Sequence, residues 1–243
     1  MMAFEPFMDF VRGIQGKLNN NRFGGLQSQN SQHLAYMRHL QREIEEERVM
    51  EVELNRLHAV VFDIETTGFF PEKGDRIISI GAVKIVAGEV KEEDTFYSLV
   101  HYEGNISPQI QQLTNISDEQ SVDAPFLSDV LVRFFRYVEK SPLIAHHTSH
   151  EKTFMQHACR SSFQTQFKHR LFDTSFLYRL VEPKDVSTRL EDLCERSAIP
   201  IVDRHHALGD AKLTAHLWIH YMKQVQQLGC KNMRDVYERL ARM

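Results

Sequence analysis

The spacing of apolar residues changes near residue 58, which divides the chain into two parts. Before that point, apolar residues recur at helical intervals in residues 4–18 and again in residues 31–57. Residues 19–32 are rich in Asn, Gln, Gly and Ser, a composition typical of flexible linkers. The pattern predicts a helical extension at residues 1–55 with a polar linker at about 19–32. We expect the extension to pack on the rest of the chain or, alternatively, on a second copy in a homodimer.

From residue 58 onward, short apolar runs typical of β-strands alternate with helically spaced stretches. Strands are predicted at residues 59–62, 77–85, 143–145 and 171–172, and a further strand, which follows a hairpin turn at Gly88, ends with residues 95–100. Helices are predicted at residues 107–115, 125–139, 207–228 and 232–242, and four more are predicted to begin near residues 117, 148, 174 and 188. Ser117 and Gln120 have the spacing of a capping box, and so do Thr188 and Glu191. Short connections favour an antiparallel meander for the first three strands. The sequence therefore predicts an α/β domain at residues 56–243, built on a mixed five-stranded sheet flanked by helices.

Composition narrows the classes of protein that remain. With 243 residues, 42% of them hydrophobic, the chain can form one sizeable core and still carry an extension. No stretch approaches 18 apolar residues and the N-terminus lacks a signal pattern, so we expect a cytoplasmic protein that does not contact a membrane. Three widely spaced cysteines argue against a disulfide framework or a zinc site. The formal net charge of −4 does not indicate nucleic-acid binding, although residues 152–189 hold seven Lys or Arg against three Asp or Glu.

Two acidic residues follow the first apolar run, at the end of the first predicted strand. Asp63 and Glu65 are two residues apart, and because side chains on a strand repeat with period two, both carboxylates point to one face. Two buried acids are costly unless a cation compensates them, and hard oxygen ligands suit Mg²⁺ or Mn²⁺. A strand end whose acids cap a neighbouring helix is the alternative, and the spacing alone does not decide between the two.

Two later segments add further candidates. Glu151 has the same helical phase as the apolar residues that follow it, so it faces inward as a candidate ligand. Thr148 and Glu151 also have the spacing of a capping box, which would explain the glutamate without a metal. His205 precedes the long helix predicted at residues 207–228, and Asp210 lies on the apolar side of that helix.

Taken in order, these segments resemble the three motifs of the DEDDh 3′–5′ exonucleases, a family that includes the epsilon subunit of bacterial DNA polymerase III, ribonuclease T and oligoribonuclease. The motifs are Phe-Asp63-Ile-Glu65-Thr-Thr-Gly, the strand and helix at residues 143–155, and His205-x-Ala-Leu-x-Asp210. Residues 74–82, 113–117 and 172–174 support the match, which covers roughly residues 58–225. The resemblance implies a ribonuclease H-like fold.

The resemblance also implies a function. We expect a metal-dependent 3′–5′ exonuclease that hydrolyses phosphodiester bonds at nucleic-acid 3′ ends, on DNA, releasing nucleoside 5′-monophosphates. Two divalent cations, Mg²⁺ or Mn²⁺, would serve as cofactors, and a DNA polymerase or another replication or repair protein would be a partner. The resemblance assigns roles to ten residues: metal binding to Asp63, Glu65, Glu151 and Asp210, proton transfer to His205, and substrate binding to Thr66, Thr67, Gly68, Phe69 and His147.

One residue departs from the family pattern. The family usually has aspartate in its second motif, where this sequence has Glu151. Glutamate keeps the charge but is longer by one methylene, about 1.5 Å. This difference puts the rate and the metal preference in question. It also supports an alternative function, a nucleic-acid-binding or polymerase-associated module with weakened catalysis.

Overall fold

The computed structural model describes residues 32–40, 49–182 and 187–243. Contacts divide the chain into two units with a boundary between Tyr36 and Met37, and the sheet and the acidic residues lie in the second unit. The helix predicted at residues 4–18 and nearly all of the linker predicted at 19–32 lie outside the described residues. Within the described ranges, no helix is both long and apolar enough to cross a membrane.

The single long helix predicted at residues 31–57 is wrong in its second half. Residues 32–40 are helical, but Val49–Glu51 and Leu54–Arg56 form separate turns of 3-10 helix. Residues 41–48 lie outside the described ranges. Leu54 is fully buried in the main core, and its N–H donates to the carbonyl of Lys231 at 2.8 Å. These tertiary contacts override the local preference for a continuous helix.

A mixed five-stranded sheet forms the centre of the domain, as predicted. Its strands are β1 (Ala59–Thr66), β2 (Ile77–Val86), β3 (Glu89–Leu99), β4 (Leu143–Ala145) and β5 (Leu171–Asp173), in the order β3-β2-β1-β4-β5. The pairs β1–β2 and β2–β3 are antiparallel, whereas β1–β4 and β4–β5 are parallel. Strand β1 is therefore central, and it continues through both acids of the first motif to Thr66.

Helices surround this sheet. They are α1 (Pro108–Thr114), α2 (Asp118–Val122), α3 (Leu127–Val138), α4 (Ser149–Phe163), α5 (Ser175–Val181), α6 (Leu190–Arg196), α7 (Ala207–Gln227) and α8 (Met233–Leu240). The predicted capping box of Ser117 and Gln120 is present. The predicted capping pair of Thr188 and Glu191 is wrong, because α6 begins two residues after Thr188 and its N-cap residue, Arg189, makes no side-chain capping bond.

The long helix α7 packs on β1 and β2 and carries the largest buried side chains, Trp218 and Tyr221. Gly81 of β2 permits the close approach at the start of this helix. A Cβ atom on Gly81 would lie 2.1 Å from the backbone nitrogen of Leu208, closer than any real contact. Gly81 is also paired in register with Asp63 of β1. The missing side chain therefore brings the first turn of α7 next to the acids of β1.

Candidate metal centre

Three carboxylates from two distant segments converge at this contact. Asp63 and Glu65 extend from β1, and Asp210 lies in the first turn of α7. One oxygen of each carboxylate can be chosen so that all three lie within 4.8 Å of one another. Carboxylate oxygens are the ligands that Mg²⁺ and Mn²⁺ prefer. The donor set therefore fits a divalent cation, and the alternative of acids that cap a neighbouring helix does not explain why three of them meet.

The electrostatics of the cluster favour a cation. Burial raises the pKa of Asp63 well above its ordinary value, and the neighbouring acids add to the effect. Burial also raises the pKa of Glu65 to about 8, and that of Asp210 to about 6. Oxygen Oδ1 of Asp210 is buried and has no hydrogen-bond partner. Burial raises these pKa values because the charged carboxylates are poorly solvated, and a positive charge between them would favour the ionised forms.

Glu151 lies near this cluster, on the first turn of α4. Its side chain is only 5% exposed and its Oε2 has no hydrogen-bond partner. Burial raises its pKa to about 8, and its charge in turn raises the pKa of Asp63. Glu151 is not among the carboxylates whose oxygens meet within 4.8 Å, so the structure brings it within electrostatic range of Asp63 but not into that cluster.

The capping-box explanation for Glu151 is wrong. Thr148 makes no side-chain capping bond to α4. Instead, its N–H and its hydroxyl donate to Oδ2 of Asp173, at 2.8 and 3.1 Å. Asp173, at the end of β5, thus fixes the start of α4, and the Oε2 atom of Glu151 has no hydrogen-bond partner.

His205 precedes α7 in a left-handed backbone conformation, with φ of +60°. Its backbone N–H donates to Oδ2 of Asp210 at 3.2 Å, and its ring Nδ1 lies 3.5 Å from the guanidinium of Arg204. Burial and the charge of Arg204 lower the pKa of the imidazole below its ordinary value. The ring is therefore neutral at neutral pH and can accept a proton.

Two further residues of the site were missed by the sequence analysis. The Arg204 guanidinium donates to Oδ2 of Asp210 and also to Oε1 of Glu191 on α6, at 2.6 Å. Its positive charge lowers the pKa values of Asp63, Glu65 and Asp210, against the effect of burial. No spacing rule links an arginine before α7 to a glutamate on α6, so only the tertiary structure reveals this contact.

The turn that follows β1 is held by hydrogen bonds. The Thr66 hydroxyl donates to the Gly68 carbonyl at 2.7 Å, and the Thr67 hydroxyl accepts from the Arg76 N–H at 2.9 Å. A Cβ atom on Gly68 would lie 2.4 Å from the carboxylate of Asp75, so a larger residue at this position would displace the Asp75 side chain.

Beyond that turn, Phe69 projects into solvent, and the residue is 76% exposed. His150, a third residue that the sequence analysis did not assign to the site, supports it with an edge-on ring contact at 5.8 Å and lies 3.3 Å from the Thr66 hydroxyl. His147 contacts a different segment of the chain. Its ring Nε2 lies 2.9 Å from the carbonyl of Thr188.

Comparison with known proteins identifies a family and several sequence relatives. The sequence model of a family described as Exonuclease matches residues 60–218. A PolC-type DNA polymerase III of Caldanaerobacter subterraneus subsp. tengcongensis is 32% identical over 177 residues, which are 73% of this chain and 12% of that protein. The 3′–5′ exonuclease DinG of Staphylococcus epidermidis is 33% identical over 180 residues, 73% of this chain and 19% of that protein. The chain thus spans less than a fifth of the length of these relatives.

Solved structures show the same fold. The nuclease domain of 3′hExo, a DEDDh family member bound to rAMP, superposes with a TM-score of 0.61 and 21% identity, covering 72% of this chain and 94% of that one. Exonuclease X in complex with 5′ overhanging duplex DNA gives a TM-score of 0.58 and 22% identity, covering 73% and 98%. The ribonuclease H-like fold implied by the sequence motifs is confirmed.

Proposed function

The chain belongs to the exonuclease family, and from that premise we propose that it is a metal-dependent 3′–5′ exonuclease. It hydrolyses the terminal phosphodiester bond of a nucleic-acid 3′ end and releases nucleoside 5′-monophosphates, through a domain at residues 56–243. The observation that carries the proposal is the meeting of Asp63, Glu65 and Asp210, with oxygen atoms within 4.8 Å of one another.

Two divalent cations, Mg²⁺ or Mn²⁺, are the proposed cofactors. Asp63, Glu65 and Asp210 would hold the first, and Asp63 and Glu151 would hold the second, with Glu151 acting directly or through water. Bound cations supply a more acidic water and stabilise the charge on the leaving 3′ oxygen. The free Oδ1 of Asp210 and the free Oε2 of Glu151 support these assignments, because each is a buried acceptor that otherwise lacks a partner.

His205 receives the proton of the attacking water in this proposal. The lowered pKa of its ring supports the role, since a base must be unprotonated before it acts. Its backbone N–H also holds the Asp210 carboxylate, so the proposed base and a proposed metal ligand are fixed by one short segment.

The turn at Thr66, Thr67 and Gly68 is proposed to receive the terminal nucleotide, with Phe69 stacking on a base. The exposure of Phe69 supports this role, since a large aromatic ring in solvent, braced by His150, is available to a base. His147, whose ring Nε2 lies 2.9 Å from the carbonyl of Thr188, is also proposed to contact the substrate.

DNA is the proposed substrate, and a DNA polymerase or another replication or repair protein the proposed partner. Sequence relatives support this choice, since several are PolC-type DNA polymerases. Among proteins of the same fold, one was solved with a histone mRNA stem-loop, so RNA is the substrate to test against DNA.

The test uses 5′-labelled DNA and RNA oligonucleotides of matched sequence, with Mg²⁺ or Mn²⁺. We expect DNA to shorten stepwise from its 3′ end, with 5′-mononucleotides as the product by chromatography. Asp63→Asn should abolish shortening, whereas Asp94→Asn, which removes an acid that pairs with Lys84 on the surface, should not. Internal cuts, or equal rates for Asp63→Asn and wild type, would contradict the proposal. Binding of 3′ ends without any shortening would instead support the weakened module.

A further inference from the structure

We propose that Arg204 and Glu191 together position the Asp210 carboxylate for metal binding, with the guanidinium as a bridge between the two acids. The inference rests on the proposed function in one respect, which is that Asp210 is a metal ligand. Neither Arg204 nor Glu191 is itself assigned a contact with metal or substrate.

The bridge uses the fork geometry of arginine. One terminal nitrogen of Arg204, Nη1, donates to Oδ2 of Asp210, and the other, Nη2, donates to Oε1 of Glu191 at 2.6 Å. A guanidinium presents several donors in a fixed plane and can serve both acids at once, whereas a lysine ammonium is a single point charge on a flexible stem.

The contacts of Asp210 are divided unequally between its two oxygens. Oδ2 receives both the Arg204 guanidinium and the backbone N–H of His205, at 3.2 Å from the latter. Oδ1 is buried and receives no hydrogen bond. Two donors on one oxygen fix the rotation of the carboxylate, so the other oxygen is left as the ligand. Hydrogen bonds from the surrounding shell orient metal ligands in this way in other proteins.

Glu191 makes the arrangement compatible with a cation. A lone guanidinium next to a divalent cation would repel it, but the charge of Arg204 is balanced by a carboxylate that contacts it directly. The side chains of Arg204 and Glu191 are 21% and 35% exposed, so the pair lies between the buried cluster and solvent.

The loop around Arg204 is bent to present this side chain. Both neighbours, Asp203 and His205, have positive φ angles of +52° and +60°, a conformation that non-glycine residues adopt only at a cost. Gly209 in the first turn of α7 secures the bend, since a Cβ atom there would lie 2.1 Å from the carbonyl oxygen of Asp203.

Mn²⁺ binding to the full chain, measured by calorimetry without nucleic acid, tests the proposal. We expect Arg204→Met to weaken binding by about 10- to 100-fold, as loss of an orienting contact does. Arg204→Lys should restore part of this loss, because one of the two contacts can form. Arg196→Met is the matched control. It removes an arginine of similar exposure that pairs with Glu182, and it should leave Mn²⁺ binding unchanged.

A double-mutant cycle separates positioning from a general effect on the fold. If Glu191 acts through Arg204, then Glu191→Gln weakens binding in the wild type but adds nothing in Arg204→Met. Thermal unfolding of each variant shows whether it is folded, and Arg204→Lys and Glu191→Gln still test the proposal if Arg204→Met is not. Equal Mn²⁺ binding by Arg204→Met would overturn the inference, since the guanidinium would then have no effect on the ligand. Tighter binding would also overturn it, since the guanidinium would then compete with the cation. Either result would leave the proposed exonuclease function standing. If the wild-type protein bound no Mn²⁺, both the positioning role and the proposed metal-dependent function would be wrong.

Discussion

Replacing Gly81 with alanine should disable the site through the backbone alone, without touching any proposed ligand. The new Cβ atom would lie 2.1 Å from the nitrogen of Leu208, and ordinary contacts begin at 3.4 Å. The start of α7 must therefore retreat by about 1.3 Å, the difference between these distances. Asp210 is three residues beyond Ala207 in the same turn, so it moves away from Asp63 and Glu65.

Displacements of this size are costly for catalysis. A shift of about 1 Å in a catalytic group lowers rates on the order of 100-fold, whereas overpacking a core site costs about 1–3 kcal/mol of stability. We expect Gly81→Ala to lose about 100-fold in exonuclease rate and at least tenfold in Mn²⁺ affinity, while remaining folded by circular dichroism.

Gly88→Ala is the matched control for this experiment. Gly88 lies in the turn between β2 and β3 with φ of +77°, so alanine is strained there, but its Cβ atom would meet only Met222 Cε at 3.6 Å. This variant should lose stability and keep its rate and its affinity for Mn²⁺. If Gly81→Ala cleaves and binds Mn²⁺ like the wild type, the approach of α7 to β2 does not position Asp210 as described.

Three further predictions concern the acids and the imidazole. In the presence of a chelator, the unfolding temperature should fall as the pH rises from about 5 to 9. Burial raises the pKa values of Glu65 and Glu151 from 4.5 to about 8 in the folded state, so between these pH values the folded state holds protons that the unfolded state has already released. Stability is therefore lost as the pH rises through the folded-state pKa. The variant Glu65→Gln/Glu151→Gln should flatten this dependence, and an unchanged slope would contradict it. Glu151→Gln alone should lower the rate by about 10- to 100-fold at saturating substrate, with wild-type activity as the refuting result. His205→Ala should lower the single-turnover rate by about 10²- to 10⁴-fold while 3′-end affinity, measured by fluorescence anisotropy, changes little, and a large loss of affinity would assign the ring to substrate binding.

The sheet could be predicted from sequence because its signals are local. Apolar runs fix β1 and β2, and the short connection through Gly88 makes the pairing of β2 with β3 antiparallel. The acids of β1 share one face because of the strand period, and that rule requires no knowledge of the rest of the chain.

Contacts between distant segments could not be predicted in the same way. The spacing of Thr148 and Glu151 satisfies the capping-box rule, yet Asp173 from β5 binds Thr148 instead, and no local pattern contains that competitor. Arg204 and Glu191 meet only because α6 and the loop before α7 lie side by side. Long charged side chains of this kind carry no periodic signal.

The helix predicted at residues 31–57 is too long for a related reason. The apolar stripe of residues 31–57 suits a helix, but Leu54 and Leu57 belong to the main core and pull the chain into short turns. Helical periodicity shows which residues are apolar at a given spacing, and it does not show which core they join.

Asp63, Glu65 and Asp210 should bind a divalent cation between them. Anomalous diffraction from a crystal grown with Mn²⁺ would show this without reference to activity, because the scattering locates the ion. We predict an anomalous peak bounded by oxygens of these three carboxylates, with Asp210 contributing Oδ1. No peak at this position at saturating Mn²⁺, or a peak only at other residues, would contradict the account.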